Sequence, residues 1–134
     1  NPETIKTSSF LIAADAIRQL SNKDSTLALG GGGSLALHPL TGLLPPSFRF
    51  ADLRSLYASL EFNEDELVKI LKEQQPTIIM PTKQVLWGLE LLTKAIQKTG
   101  LYELVAIIDY NQNLQSATMA GNIYRLKSFV KEDD

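Results

Sequence analysis

The apolar residues of this chain fall at helical spacing in four stretches and at strand spacing in two. Over residues 8–21, Phe10, Ala13, Ala14, Ile17 and Leu20 make one stripe, with Ser8 or Ser9 as the cap. Residues 47–60 repeat the period through Leu53, Leu56, Tyr57 and Leu60. Residues 63–75 open with Asn63 and carry Glu66 three positions on, a variant of the capping box. Leu67, Ile70 and Leu71 form its inner face, and Pro76 stops it. Residues 82–99 are the clearest helix, with Val85, Leu89, Leu92 and Ile96 in one row and Gly100 placed to end it.

The period then drops to two. "YELVAIIDY" (102–110) is rich in β-branched and aromatic residues and predicts a strand buried on both faces. "NQN" is a turn signal. In "GNIYRLKSF" (121–129), Tyr124 and Leu126 alternate with Arg125 and Lys127, as in a half-exposed strand. "TIIM" (77–80) reads as a short strand or a buried connector. "HPLTGLLPPS" (38–47) reads as an irregular connection, and "KEDD" as a solvated, frayed tail.

The last part, "LWGLELLTKAIQKTGLYELVAIIDYNQNLQSATMAGNIYRLKS", resembles the second half of a winged-helix domain. There a helix ends in a signature such as "KTGL", and a strand, a wing loop and a returning strand like "IYRLKS" follow. The resemblance covers about residues 47–129. The long helix and the extra helices before it resemble winged-helix domains appended to larger assemblies, such as the C-terminal domains of AAA+ origin-recognition and silencing proteins. This implies a single α+β, helix-rich domain over residues 1–134, a winged-helix-like bundle with a C-terminal two-stranded wing. It also implies a non-enzymatic module of an intracellular, nuclear assembly. A long helix followed by a two-stranded meander also resembles half of a roadblock or longin-type domain. Those folds need further strands and a closing helix, so this likeness ranks second.

Composition narrows the chemistry. The chain is 44% hydrophobic and 21% charged, as in an ordinary globular domain. No apolar run reaches the roughly 18 residues a membrane span needs. The absence of cysteine excludes disulfides, thiolate catalysis and cysteine–zinc sites. A net charge of −2 argues against a strongly basic nucleic-acid binder. A start at Asn1-Pro2 without methionine points to a piece of a longer protein.

"LALGGGGSLAL" (27–37) is the stretch that most suggests chemistry. No lysine follows Gly33, so it is not a Walker loop, and Pro39 leaves little room for the helix of a dinucleotide fingerprint. It resembles the oxyanion loop of patatin-type lipases, but the chain has no Gly-x-Ser-x-Gly elbow. Residues 30–34 match the repeat of a designed flexible linker, which replaces a native loop or joins two chains; a native flexible loop is the alternative. His38 is the only histidine and has no second ligand with which to share a metal. The expectations are therefore no catalytic residue, no metal and no cofactor.

Protein contact is the favoured function. Leu86, Trp87 and Leu91 make the long helix apolar over more than one face, either as a central core helix or as a flank for a partner or second copy. Phe48 and Phe50, in the proline-rich stretch 40–50, are the other interface candidates. DNA binding is the alternative, through the 82–99 helix and the 110–121 wing, with Lys83, Lys94, Lys98, Arg125 and Lys127 as contacts. Glu90, Glu103 and Asp109 interrupt that positive charge. No membrane and no small-molecule substrate are expected.

Overall fold

A computed structural model of the chain describes residues 2–7, 10–30, 35–81, 86–110 and 121–132. In chain order the elements are β1 (Glu3–Thr7), α1 (Phe10–Gln19), β2 (Leu27–Leu29), α2 (Leu37–Thr41), a 3-10 turn (Phe48–Ala51), α3 (Leu53–Ser59), α4 (Glu64–Gln74), β3 (Ile78–Met80), α5 (Leu86–Thr99), β4 (Tyr102–Tyr110) and β5 (Gly121–Leu126). The strands form one five-stranded sheet in the order β1-β4-β5-β3-β2. β1 pairs parallel with β4 and β2 parallel with β3, while β5 lies between β4 and β3 and is antiparallel to both.

This corrects the expected two-stranded wing. β4 and β5 are the centre of a mixed sheet, and β1, β2 and β3 extend it on both sides. The long helix α5 is the crossover from β3 to β4. Two apolar layers sandwich the sheet. On one face α3, α4 and α5 bury Leu53, Leu67 and Ile96 against Ala28, Ile79, Tyr102 and Tyr124. On the other, α1 and α2 bury Ala13, Ile17 and Leu37 against Leu27, Leu29, Ile78, Met80, Ala106 and Ile123.

Chain direction explains which helix goes where. The path steps from β2 to β3 and from β3 to β4 in the same direction across the sheet; the second connection, and the first once it has passed α2, use the α3–α4–α5 face. The path from β1 to β2 runs the opposite way, and α1 lies on the opposite face. A constant crossover handedness demands this switch of face when direction reverses.

β4 feeds both cores by breaking its own alternation. Tyr102 and Leu104 pack into the α3–α4–α5 layer, whereas Ala106 and Ile108 pack into the α1–α2 layer. Even-numbered residues of one strand share a face only if the register is unbroken. Here pairing steps from Leu104↔Tyr124 to Ala106↔Ile123, so two residues of β4 oppose one of β5. This is a β-bulge with Val105 as the extra residue.

Several predicted signals are visible as contacts. Asn63 caps α4, its Oδ1 accepting the Glu66 N–H at 3.2 Å. Gly100 follows α5 at φ 69, where glycine pays no Cβ penalty. The helix expected over 47–60 is divided: Asp52 ends the 3-10 turn and caps α3, its Oδ1 accepting the Arg54 N–H at 2.9 Å. In the stretch read as irregular, 38–47, the first four residues belong to α2.

Residues 31–34 of the glycine-rich run lie outside the described residues. Gly30 is described, and its N–H donates to Met80 O at 3.0 Å, continuing the β2–β3 pairing. Leu29 and Leu35, on either side of the run, pack into the same core. Residues before the run supply β1, α1 and β2 to the same sheet as those after it.

Candidate functional site

The interface candidates divide between core and surface. After α2, Gly42 turns the chain at φ 76 and its N–H donates to His38 O at 2.9 Å. Leu43 is buried, and the next residue bridges the outer edge of β2: Leu44 pairs with Thr26, and Leu27 N–H donates to Leu44 O at 2.9 Å. The Leu44 side chain itself is 72% exposed. Pro45 and Pro46, which lack N–H groups, then lead into the 3-10 turn.

In that turn Phe48 is 94% exposed and Phe50 is 0% exposed. Residues two apart at three per turn point about 120° apart, so the two rings cannot share a surface. Phe50 packs with Ala28, Leu53 and Leu56 in the core. Its assignment to an interface is thus corrected, and Phe48 alone of the two rings is on the outside. Arg49, the next residue, and Arg54 are exposed. Leu91 is half-buried and packs on the α3–α4–α5 core. Leu86 and Trp87 form the first turn of α5, and their side chains lie outside the described set.

The basic residues proposed for nucleic acid do not converge. Lys83 lies outside the described residues. Lys94 and Lys98 are exposed on α5, and Lys98 Nζ donates to Glu64 Oε2 of α4 at 2.9 Å. That hydrogen bond and the Glu64 charge raise the Lys98 pKa. Arg125 belongs to the other layer. It sits opposite Ile78, which faces the α1–α2 core, and its Nη1 donates to Leu20 O at 3.1 Å. Lys127 is exposed just beyond β5. Lys98 and Arg125 are therefore separated by the thickness of the sheet.

A cleft of about 660 Å³ opens where α1 and α2 end, lined by Arg18, Asn22, Lys23, Thr41, Lys131 and Glu132 among others. Two of its cations, Arg18 and Lys131, bond to the polypeptide. Arg18 bonds Leu40 O at 2.6 Å and pairs with Asp15. Lys131 Nζ donates to Ser21 O and, at 3.4 Å, to Arg18 O. A cation on the last carbonyls of a helix answers both their unpaired lone pairs and the negative end of the dipole. Of the segment expected to fray, Lys131 and Glu132 are fastened here, and residues 133–134 lie outside the described residues. Asn22 Nδ2 donates to Val130 O at 2.9 Å, and Glu132 N–H donates to Asn22 Oδ1 at 2.8 Å. No local sequence signal marks Asn22 for this role, because its partners lie 108 and 110 positions away.

His38 Nδ1 lies 3.0 Å from Leu43 O. A carbonyl only accepts, so Nδ1 carries the proton there. Nε2 is buried and has no partner among the described residues. Ser34, four residues before it in the chain, lies outside the described residues. Among the described residues no three His, Cys, Asp or Glu side chains cluster as a metal site would require. No described helix is long and apolar enough to cross a membrane. Comparison with protein-family models, with curated proteins and with solved structures finds no match.

Proposed function

We propose that this chain is a non-enzymatic interaction module of a larger assembly, working by contact with a protein partner or with a second copy of itself. The observation that carries this reading is Phe48, 94% exposed beside a 72% exposed Leu44 on the rail that flanks β2. A fully exposed phenylalanine ring forgoes the ~1.5–3 kcal/mol its burial would supply. Aromatic side chains presented this way, with arginine nearby, are the residue types enriched at the centres of protein interfaces. Backbone pairing at Leu44 ties the segment to β2 four residues before the ring. DNA binding is the weaker reading, since its candidate cations are divided between the two layers. No compartment follows, because the two-stranded wing behind the nuclear expectation belongs to a five-stranded sheet.

Sedimentation velocity over a dilution series tests the self-association arm. A dimer lost in Phe48→Ser supports it. A monomer at every concentration removes that arm and leaves a different protein as the only occupant.

A further inference from the structure

We propose that residues 128–132 are a detachable strap latched by Asn22, and that its release opens the polar cleft at the end of α1. The chain leaves β5 at Leu126, and Lys127 N–H still donates to Leu101 O at 2.8 Å. Beyond it the ladder stops. One backbone bond follows, Phe129 N–H to Leu126 O at 3.1 Å, and the rest of what holds these residues is a set of contacts to the end of α1 and to Arg125. Phe129 lies under the Arg125 guanidinium, 4.7 Å from ring centroid to Cζ. Arg125 and Lys131 donate to the carbonyls of Leu20, Ser21 and Arg18.

Asn22 is the centre of the attachment. A primary amide carries one acceptor oxygen and two donor hydrogens, so it can answer a backbone C=O and an N–H at once. Asn22 does this to Val130 and Glu132, fixing two alternate residues as an adjoining strand would. Asn22 is itself locked: its N–H donates to Ser25 Oγ at 2.8 Å, and Ser25 N–H donates to Asn22 O at 3.1 Å. The latch is thus rigid on the α1 side and sequence-blind on the strap side, since it reads backbone only.

The strap has little else to hold it. Val130 is 76% exposed, Lys131 and Glu132 are exposed, and Phe129 is only half-buried. Segments tied by a few exposed hydrogen bonds and little apolar contact open at the low end of the local-stability scale, independently of the core. Lys131 and Glu132 form one wall of the cleft. Opening removes that wall and leaves the carbonyls of Arg18 and Ser21 without their ammonium.

Amide hydrogen exchange on the full chain tests this. In the wild type the Glu132 amide exchanges more slowly than an unstructured amide, yet faster than Ile123 and Tyr124 in β5. In Asn22→Ala, Glu132 exchange rises by roughly tenfold while β5 is unchanged, since each hydrogen bond accounts for a factor of that order. Lys131→Ala alters an exposed residue and leaves the fold intact; it speeds Glu132 by a smaller factor. Glu132 exchanging at the unstructured rate in the wild type overturns the proposal. So does a Glu132 rate equal to that of the β5 amides, or one that neither variant changes.

Discussion

Phe48 and Phe50 stand two residues apart, have the same side chain, and should respond oppositely to truncation. Phe50→Ala removes a ring that is 0% exposed, in contact with the layer formed by Ala28, Leu53 and Leu56. The lost transfer free energy is about 1.5–3 kcal/mol. A residual cavity of order 100 Å³ adds about 2 kcal/mol at ~24 cal/mol per Å³, for a total near 3–5 kcal/mol. Domains of this size have roughly 5–15 kcal/mol in all, so Phe50→Ala brings the chain close to unfolding. Phe48→Ala removes a ring that is 94% exposed and should fall within about 0.5 kcal/mol of wild type. Urea unfolding followed by far-ultraviolet circular dichroism reads both. With a slope of about 2 kcal/mol per molar, Phe50→Ala moves the midpoint down by roughly 2 M. A Phe50→Ala loss below about 1 kcal/mol, or a Phe48→Ala loss as large as that of Phe50→Ala, refutes the orientation of the 3-10 turn.

Two further outcomes follow from single residues. Burial pushes the Tyr102 phenol well above its ordinary value of 10.0, and its O–H donates to Pro76 O at 2.6 Å. The folded state therefore keeps the phenol neutral, and its stabilising effect is complete below the unfolded pKa. It declines as pH rises past about 10, by up to ~1.4 kcal/mol per unit. Tyr102→Phe should lose about 1–2 kcal/mol at neutral pH and show a shallower alkaline decline; parallel wild-type and variant curves from pH 7 to 11 contradict this. Gly100 sits at φ 69 with nothing within 4 Å of a built Cβ, so Gly100→Ala costs backbone strain alone. A thermal melt should show a loss of about 1–2 kcal/mol, and a much larger one would reveal a neighbour the structure does not place there.

Much of the helical layer was legible because its signals are local. The Asn63 cap, the Leu67–Ile70–Leu71 face and Gly100 act within a turn or two of their own position and are seen in their expected roles, whereas the Asn63 N–H donates to Leu60 O rather than to the Glu66 carboxylate a capping box would use. β4 matches its predicted bounds because its nine residues are rich in β-branched and aromatic types, which leaves little room for another reading. The short strands were not legible. β2 is Leu-Ala-Leu, too brief for a period, and its strand character comes from pairing with Ile78–Met80 some fifty residues on. β1 reads "ETIKT", mostly polar, and is a strand because β4 pairs with it across the length of the chain. With both missed, a five-stranded sheet looked like a two-stranded wing. Phe50 was misplaced for a related reason, since a proline-rich stretch carries no periodicity to tell an inward ring from an outward one.

The claim that the Leu44–Phe48 edge meets another protein is tested most directly by a photo-cross-linking residue at position 48, with position 69 on the exposed face of α4 as control. Irradiation in cells expressing the full chain should give a discrete adduct from position 48, sized as a dimer or as one defined partner, and none from position 69. No adduct from position 48, or the same adducts from both positions, would contradict the assignment of this edge as an interface.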